Sequence, residues 1–422
     1  MRIWLIQRAE STPHDEGGDR RLMRTGILAD LLQKKGHEVV WWTSAFDHVS
    51  KKKRYQQSTR VTVNKNYYIH YLKSFGYKRN ISISRYIDDQ VLAKNFKKEI
   101  NLDKNKPDII LTSVPSVEMS HVVVRYANQH KIPIVLDIRD LWPDIFLEFF
   151  PNTFGWLINI LTIPMRNKLI DICKNTTSIS GITEEFVKWG LNYSSRQSSK
   201  NDISFPMAYF KREITNKKIK SDALFFWERL GVKKNDKTLK ILFLGTFSNS
   251  FEFDTIFSAA KILQKIGAPV SFVICGSGTK EEFIKKKCKE LSNCIFAGWI
   301  NKVQIKTILE LSDVGLAPYI NIKNFTENLP NKPAEYLSEN LLIATSLKYG
   351  KLYNLVNSKE CGFSYGNDPI KLASFLENLT KDEKKLKRFK KNANQIFINE
   401  FNGIKIYQSM IDYLNNLAKK KL

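Results

Sequence analysis

Cysteine is scarce and scattered in this chain. Five residues (Cys173, Cys275, Cys288, Cys294, Cys361) fall in 422, odd in number and without Cys-x-x-Cys spacing. That argues against a disulfide framework and a zinc finger, and fits a reducing cytoplasm. Acids are outnumbered: 42 Asp plus Glu against 67 Lys plus Arg give a net charge of +25. The balance favours polyanions: nucleic acid, an anionic membrane face or phosphorylated substrates. No apolar run is long and charge-free enough to span a bilayer, and Met1-Arg-Ile-Trp-Leu-Ile6 reads as a strand rather than a signal peptide. No convincing Asp-x-Asp metal site is present. Gly276-Ser-Gly278 follows a strand, but position 281 is Glu, so the GxGxxG dinucleotide pattern is incomplete.

What is present is a globular composition, 43% hydrophobic and 12% aromatic, long enough for two or three domains. Apolar β-rich runs alternate with helical patterns. The expected strands begin with 2–7, 38–43, 61–68, 109–113, 134–138 and 177–179. A second series follows at 240–244, 270–275, 295–297, 314–317, 342–344 and 362–365. The fold class is α/β: two doubly wound, Rossmann-like domains with a cleft between the C-terminal ends of their sheets. The expected boundaries are 1–205 for an acceptor-binding domain, 206–237 for a linker and 238–395 for a nucleotide-sugar-binding domain. A C-terminal helix in 396–422 is expected to pack back on the first domain.

The most informative stretch is Glu327-Asn-Leu-Pro-Asn-Lys-Pro-Ala-Glu335-Tyr336. It reads as a loop running into a short helix after the strand 314–317. The amides between the glutamates point toward a helix N-terminus, a natural seat for phosphate, and Lys332 adds a mobile cation. One acid can hold ribose hydroxyls while the other faces a sugar. On spacing alone, solvated helix acids would look the same.

Other candidates lie at strand ends. Arg139 and Asp140 follow the strand 134–138; Arg139 can neutralise a phosphate and Asp140 can orient or deprotonate an acceptor hydroxyl. An internal Asp–Arg ion pair is the alternative. Gly17 and Gly18 sit in the loop after the first strand, either facing the cleft or simply flexible. Gly245 and Thr246 open the second domain with small groups suited to phosphate contact through backbone amides. Trp299 and Ile300 can set backbone against a nucleobase. The apolar region 146–165 is either a membrane-surface contact or a buried core helix. The basic runs 51–54 and 285–287 read as solvated faces or secondary membrane contacts.

Taken in order, the Gly17-Gly18 loop, GHEVVWWTSAFDH, VLDIRDLWPD, FLGTFSNSFEFDTIFSAAKIL, VICGSG, FAGWI, SDVGLAPY and ENLPNKPAEYL resemble the family 4 glycosyltransferases of the two-domain GT-B fold. The likeness is to the bacterial branch that builds O-antigen and capsule repeats, including N-acetyl-L-fucosamine transferases. The resemblance implies a UDP-sugar donor held by the second domain, with Glu335 on the ribose and Glu327 near the sugar. It implies donor contacts from Gly276, Asn328, Leu329 and Asn331, and diphosphate stabilisation by Lys332. It further implies no metal and no cofactor beyond the donor substrate. The acceptor is a polyprenyl-diphosphate-linked saccharide reached near Gly17, Gly18 and Asp140. The protein is then cytoplasmic, peripheral at the inner membrane face, and not a nucleic-acid binder. One departure stands out: Gly245–Glu252 has no basic residue where many family members carry an Arg and a Lys. The rival readings are a polyanion-binding protein on the same fold and a UDP-sugar epimerase.

Overall fold

The computed structural model describes residues 1–15, 21–149, 155–211, 213–234 and 236–419. The chain divides into two compact units, Met1–Pro206 with Lys405–Leu422, and Met207–Ile404.

The first unit carries an eight-stranded sheet. Its strands are β1 (Arg2–Ile6), β2 (Glu38–Ser44), β3 (Thr59–Asn64), β4 (Tyr67–Leu72), β5 (Ile109–Val114), β6 (Ile134–Ile138), β7 (Ser178–Gly181) and β8 (Ile203–Ser204), in the order β3-β4-β2-β1-β5-β6-β7-β8. β1, β2, β5 and β6 are apolar runs buried on both faces, as parallel strands between helices must be. The indole of Trp41 donates to the Gln7 carbonyl at 2.9 Å, so its burial leaves no orphan N–H.

The sequence reading of one strand over 61–68 is corrected here. The chain turns at Lys65-Asn66, and β3 pairs antiparallel with β4 in register Thr59↔Tyr71. Apolar alternation runs through both arms and hides the turn between them. The stretch 206–237, read as linker, contains the helix Lys217–Arg229. Asn216 caps its start, and the buried Trp227 donates to the Gln304 carbonyl at 3.0 Å.

The second unit carries six parallel strands: β9 (Leu239–Leu244), β10 (Val270–Cys275), β11 (Cys294–Gly298), β12 (Val314–Ala317), β13 (Leu342–Thr345) and β14 (Gly362–Ser364), in the order β11-β10-β9-β12-β13-β14. Strand order reverses between β9 and β12. In the first unit it reverses between β1 and β5. Ligands of doubly wound sheets bind at such points, beyond the carboxyl ends of the strands.

Candidate functional site

The predicted residues gather into two groups, one in each unit. In the second unit Gly245 directly follows β9 and Gly276 directly follows β10. Both have positive φ, 147° and 144°, which side chains other than hydrogen rarely allow. The Gly245 amide donates to the Cys275 carbonyl at 3.0 Å, and the Gly276 amide to Gly298 at 2.7 Å. Three adjacent strand ends are thereby stitched together by glycine backbone. A Cβ on Gly276 would strike the Gly245 carbonyl, and one on Gly245 would strike the Lys332 ammonium.

Lys332 reaches this point from the helix Asn331–Ser338, which follows β12. Its ammonium lies 4.6 Å from the ring centre of Phe251 and 5.3 Å from that of Phe243. Such contacts attract a cation to an aromatic face. The helix enters through Pro330, which supplies no side-chain cap, and a helix N-terminus is a favourable seat for an anion. Glu335 lies three residues beyond Lys332 and so on the same face of the helix. It is buried; burial first, and then the Glu335 charge, pushes the Tyr319 hydroxyl up. Next to it, the Tyr336 hydroxyl accepts from the Leu244 amide at 3.1 Å and donates to the Leu316 carbonyl at 3.2 Å. This one hydroxyl ties the helix to β9 and β12 at the point where strand order reverses. Gly315 leaves room for the Tyr336 ring.

Glu327 is half-buried and closes the short helix Lys323–Thr326. Asn328 is buried, and its side-chain oxygen meets no hydrogen-bond donor. Leu329 and Asn331 are half-buried, and Thr246 is exposed. Trp299 is 72% exposed, whereas Ile300 is buried in the core, so only the backbone of Ile300 can face a ligand.

In the first unit Arg139 is committed to carboxylates. Its Nε donates to Asp137 at 2.7 Å, its Nη1 pairs with Glu10, and the same nitrogen donates to Thr25 Oγ1 at 2.9 Å. Asp137, fully buried, also takes Arg24 at 3.0 Å and the Ser180 hydroxyl at 3.0 Å. This is the internal ion pair weighed as the alternative to phosphate binding. Asp140 is half-buried and its charge acts on Arg85. Gly17 and Gly18 lie outside the described residues.

The run 51–54 is not wholly a solvated face: Arg54 is tucked against Asp15 at 2.6 Å, and the Lys51 ammonium lies 4.6 Å from the Tyr77 ring centre. The helix Gly155–Asn175 is not a buried core helix over its first half, where Trp156, Ile160 and Leu161 are exposed. Sequence reasoning missed Lys280, whose ammonium donates to the Phe251 carbonyl at 3.3 Å beside the lysine-free loop. It also missed Arg8 and Arg85. The spacing of Arg85 to Asp89, one helical turn, was the available signal.

Residues 228–396 match the family model described as glycosyl transferases group 1. No curated protein sequence matches the chain. Among solved structures, sucrose-phosphate synthase from Thermosynechococcus elongatus superposes with a TM-score of 0.71 at 14% identity, over 99% of this chain and 98% of that one. HepE from Anabaena, in complex with UDP-glucose, gives 0.63 at 12% identity over 99% and 100%. WaaG, a glycosyltransferase involved in lipopolysaccharide biosynthesis, gives 0.63 at 13% identity over 98% and 99%. The chain thus has the α/β fold of GT-B glycosyltransferases, and its residues 228–396 are similar to the group 1 glycosyl transferase domain.

Proposed function

We propose that the protein is a metal-independent, family 4-like glycosyltransferase. It moves a sugar, N-acetylated amino or deoxy in type, from UDP to a polyprenyl-diphosphate-linked saccharide, as in O-antigen or capsule assembly. It works at the inner face of the cytoplasmic membrane and uses no cofactor beyond the donor. The observation that carries this reading is the meeting of Gly245, Lys332 and the uncapped helix start at the reversal point of the second sheet. HepE, with the same fold, was solved with UDP-glucose, and WaaG serves lipopolysaccharide biosynthesis.

The chemistry follows from charge. As the bond from sugar C1 to the diphosphate breaks, negative charge grows on the leaving oxygen. Lys332 and the first-turn amides stabilise that charge, and they gain most where water is excluded. Glu335 accepts from the ribose hydroxyls. Glu327 faces the donor sugar, and Asn328 offers its unsatisfied oxygen to a sugar hydroxyl. Asp140 orients the acceptor hydroxyl and takes its proton.

A thermal-shift panel of UDP-, GDP-, dTDP- and ADP-sugars tests the donor. We expect UDP-sugars alone to stabilise the wild type, with the shift lost in Glu335→Gln. In a UDP-release assay with lipid-linked acceptor, Lys332→Ala should lower turnover by about 100-fold or more, the scale of losing one charge-stabilising donor. If no nucleotide stabilises the protein, the two glutamates are ordinary helix acids and the polyanion-binding reading replaces this one.

A further inference from the structure

The seam between β9 and β12 is paired along only part of its length. Register holds at Val314↔Ile241 and Gly315↔Leu242 and goes no further, although β9 runs on to Leu244 and β12 to Ala317. The neighbouring seams behave differently. β9 pairs with β10 from Leu239 through Leu244, and β12 pairs with β13 from Val314 through Ala317. The sheet is therefore unzipped at the carboxyl ends of the two strands between which strand order reverses.

A single side chain fills the opening. The Tyr336 ring enters against Gly315, where a Cβ would strike it, and is fully buried. Its hydroxyl accepts from the Leu244 amide at 3.1 Å and donates to the Leu316 carbonyl at 3.2 Å. Both groups belong to the unpaired strand ends, so the hydroxyl stands where a direct strand-to-strand bond would otherwise run. Burial pushes the hydroxyl well above its ordinary value, so it stays protonated and able to donate. Two strands can satisfy a facing amide and carbonyl on their own. A phenol between them does something a direct bond cannot. It sets their separation, and it ties that separation to the helix Asn331–Ser338 from which it projects.

The same helix carries Lys332 one turn earlier, so the two side chains share a face. Leu244 is followed directly by Gly245, whose own amide is tied the other way, to the Cys275 carbonyl at 3.0 Å. The backbone at the end of β9 is thus pinned on one side by β10 and on the other by Tyr336. Lys332 stands over that same backbone, close enough that a Cβ on Gly245 would meet its ammonium.

We infer that Tyr336 is a positioning residue: its hydroxyl wedges the β9–β12 seam and so fixes where the Lys332 ammonium stands relative to the Gly245 backbone. The inference rests on the transferase reading, in which that pair holds the donor diphosphate. Tyr336 touches no reacting atom; it acts through Lys332.

The test is calorimetric titration of the full-length protein with UDP. Tyr336→Phe keeps the ring, removes only the hydroxyl, and should weaken UDP by about tenfold. Trp227→Phe is the control, since it also deletes a buried donor of the second unit, the indole N–H given to the Gln304 carbonyl at 3.0 Å. It should lower the melting temperature and leave UDP affinity within about twofold of wild type. The double variant separates positioning from general destabilisation. In a Lys332→Ala background Tyr336→Phe should cost less than about twofold, because the group it positions is gone. Equal losses in both backgrounds, or no loss in the wild-type background, overturn the positioning role. Gly315→Ala disturbs the same wedge from the β12 side with the hydroxyl intact, and takes the place of Tyr336→Phe should that variant not fold. Its effect on UDP should show the same dependence on Lys332, and an undiminished loss in Lys332→Ala overturns the role as well. Wild-type binding keeps the two ideas apart. If the wild type binds UDP and Tyr336→Phe binds it equally, the wedge fails and the donor reading stands; if the wild type binds no UDP, both fall.

Discussion

The strand ends of the two sheets are furnished in opposite ways. At the end of β6, Asp137, Arg139, Arg24 and Glu10 neutralise one another inside the first unit. At the ends of β9 and β10 the second unit is stripped to glycine, with one lysine laid over aromatic rings. The first arrangement spends its charge on geometry: it fixes the loop that carries Asp140. The second sets glycine backbone and the Lys332 ammonium side by side at the strand ends. A charged motif at a strand end therefore does not by itself mark the ligand; the partners of the charge do.

The largest effect expected from this contrast is structural. Asp137→Asn leaves Arg24 and Arg139 buried without their carboxylate and should cost about 3–5 kcal/mol, read by urea denaturation. The sign of its pH dependence follows. Burial works against the Asp137 charge, but the two guanidiniums outweigh it and hold the carboxyl well below its ordinary 3.8. Its contribution is thus complete above pH 3.8 and is lost as pH falls through the lower folded value. The variant should lack that segment of acid destabilisation. Were Arg139 instead a phosphate ligand, Asp137→Asn would change acceptor kinetics with little loss of stability.

Gly276→Ala comes next and probes the other side. Its Cβ meets the Gly245 carbonyl and its φ is 144°, so we expect a loss of about 1–3 kcal/mol. The donor-induced thermal shift should vanish with it, because displacing Gly245 displaces the backbone beneath Lys332. A variant that is destabilised but keeps the full shift would place the donor elsewhere.

Much of this was legible in the sequence. The parallel strands announce themselves as short apolar runs between helical patterns, and the helix bearing Glu335 is set up by Pro330 and Pro333 near its start. The Lys332–Glu335 relation follows from helical spacing. What was not legible depends on long-range partners. Arg139 looks the same in sequence whether it binds phosphate or Asp137, and Glu10 comes to it across 129 positions. A helix that exposes isoleucine and tryptophan, as Gly155–Asn175 does, reads as a core helix until its neighbours are known. The β3–β4 turn was missed because Lys65-Asn66 lacks the glycine that usually marks a tight hairpin.

The smallest effect belongs to Trp299, and it sharpens the contrast most finely. The second unit is read as presenting backbone, yet beside Gly298 it also presents an indole that is 72% exposed. If backbone is the rule here, the base rests against the main chain of Trp299 and Ile300, and the ring is peripheral. Trp299→Ala should then change stability by no more than about 0.5 kcal/mol, as exposed substitutions do. UDP affinity should fall by less than about threefold, as at the near-neutral rim of an interface. A loss of about tenfold or more would mean that the indole stacks on the base. The site would then recognise the base through a side chain and the diphosphate through backbone and Lys332, and the division between the two sheets would be one of charge alone.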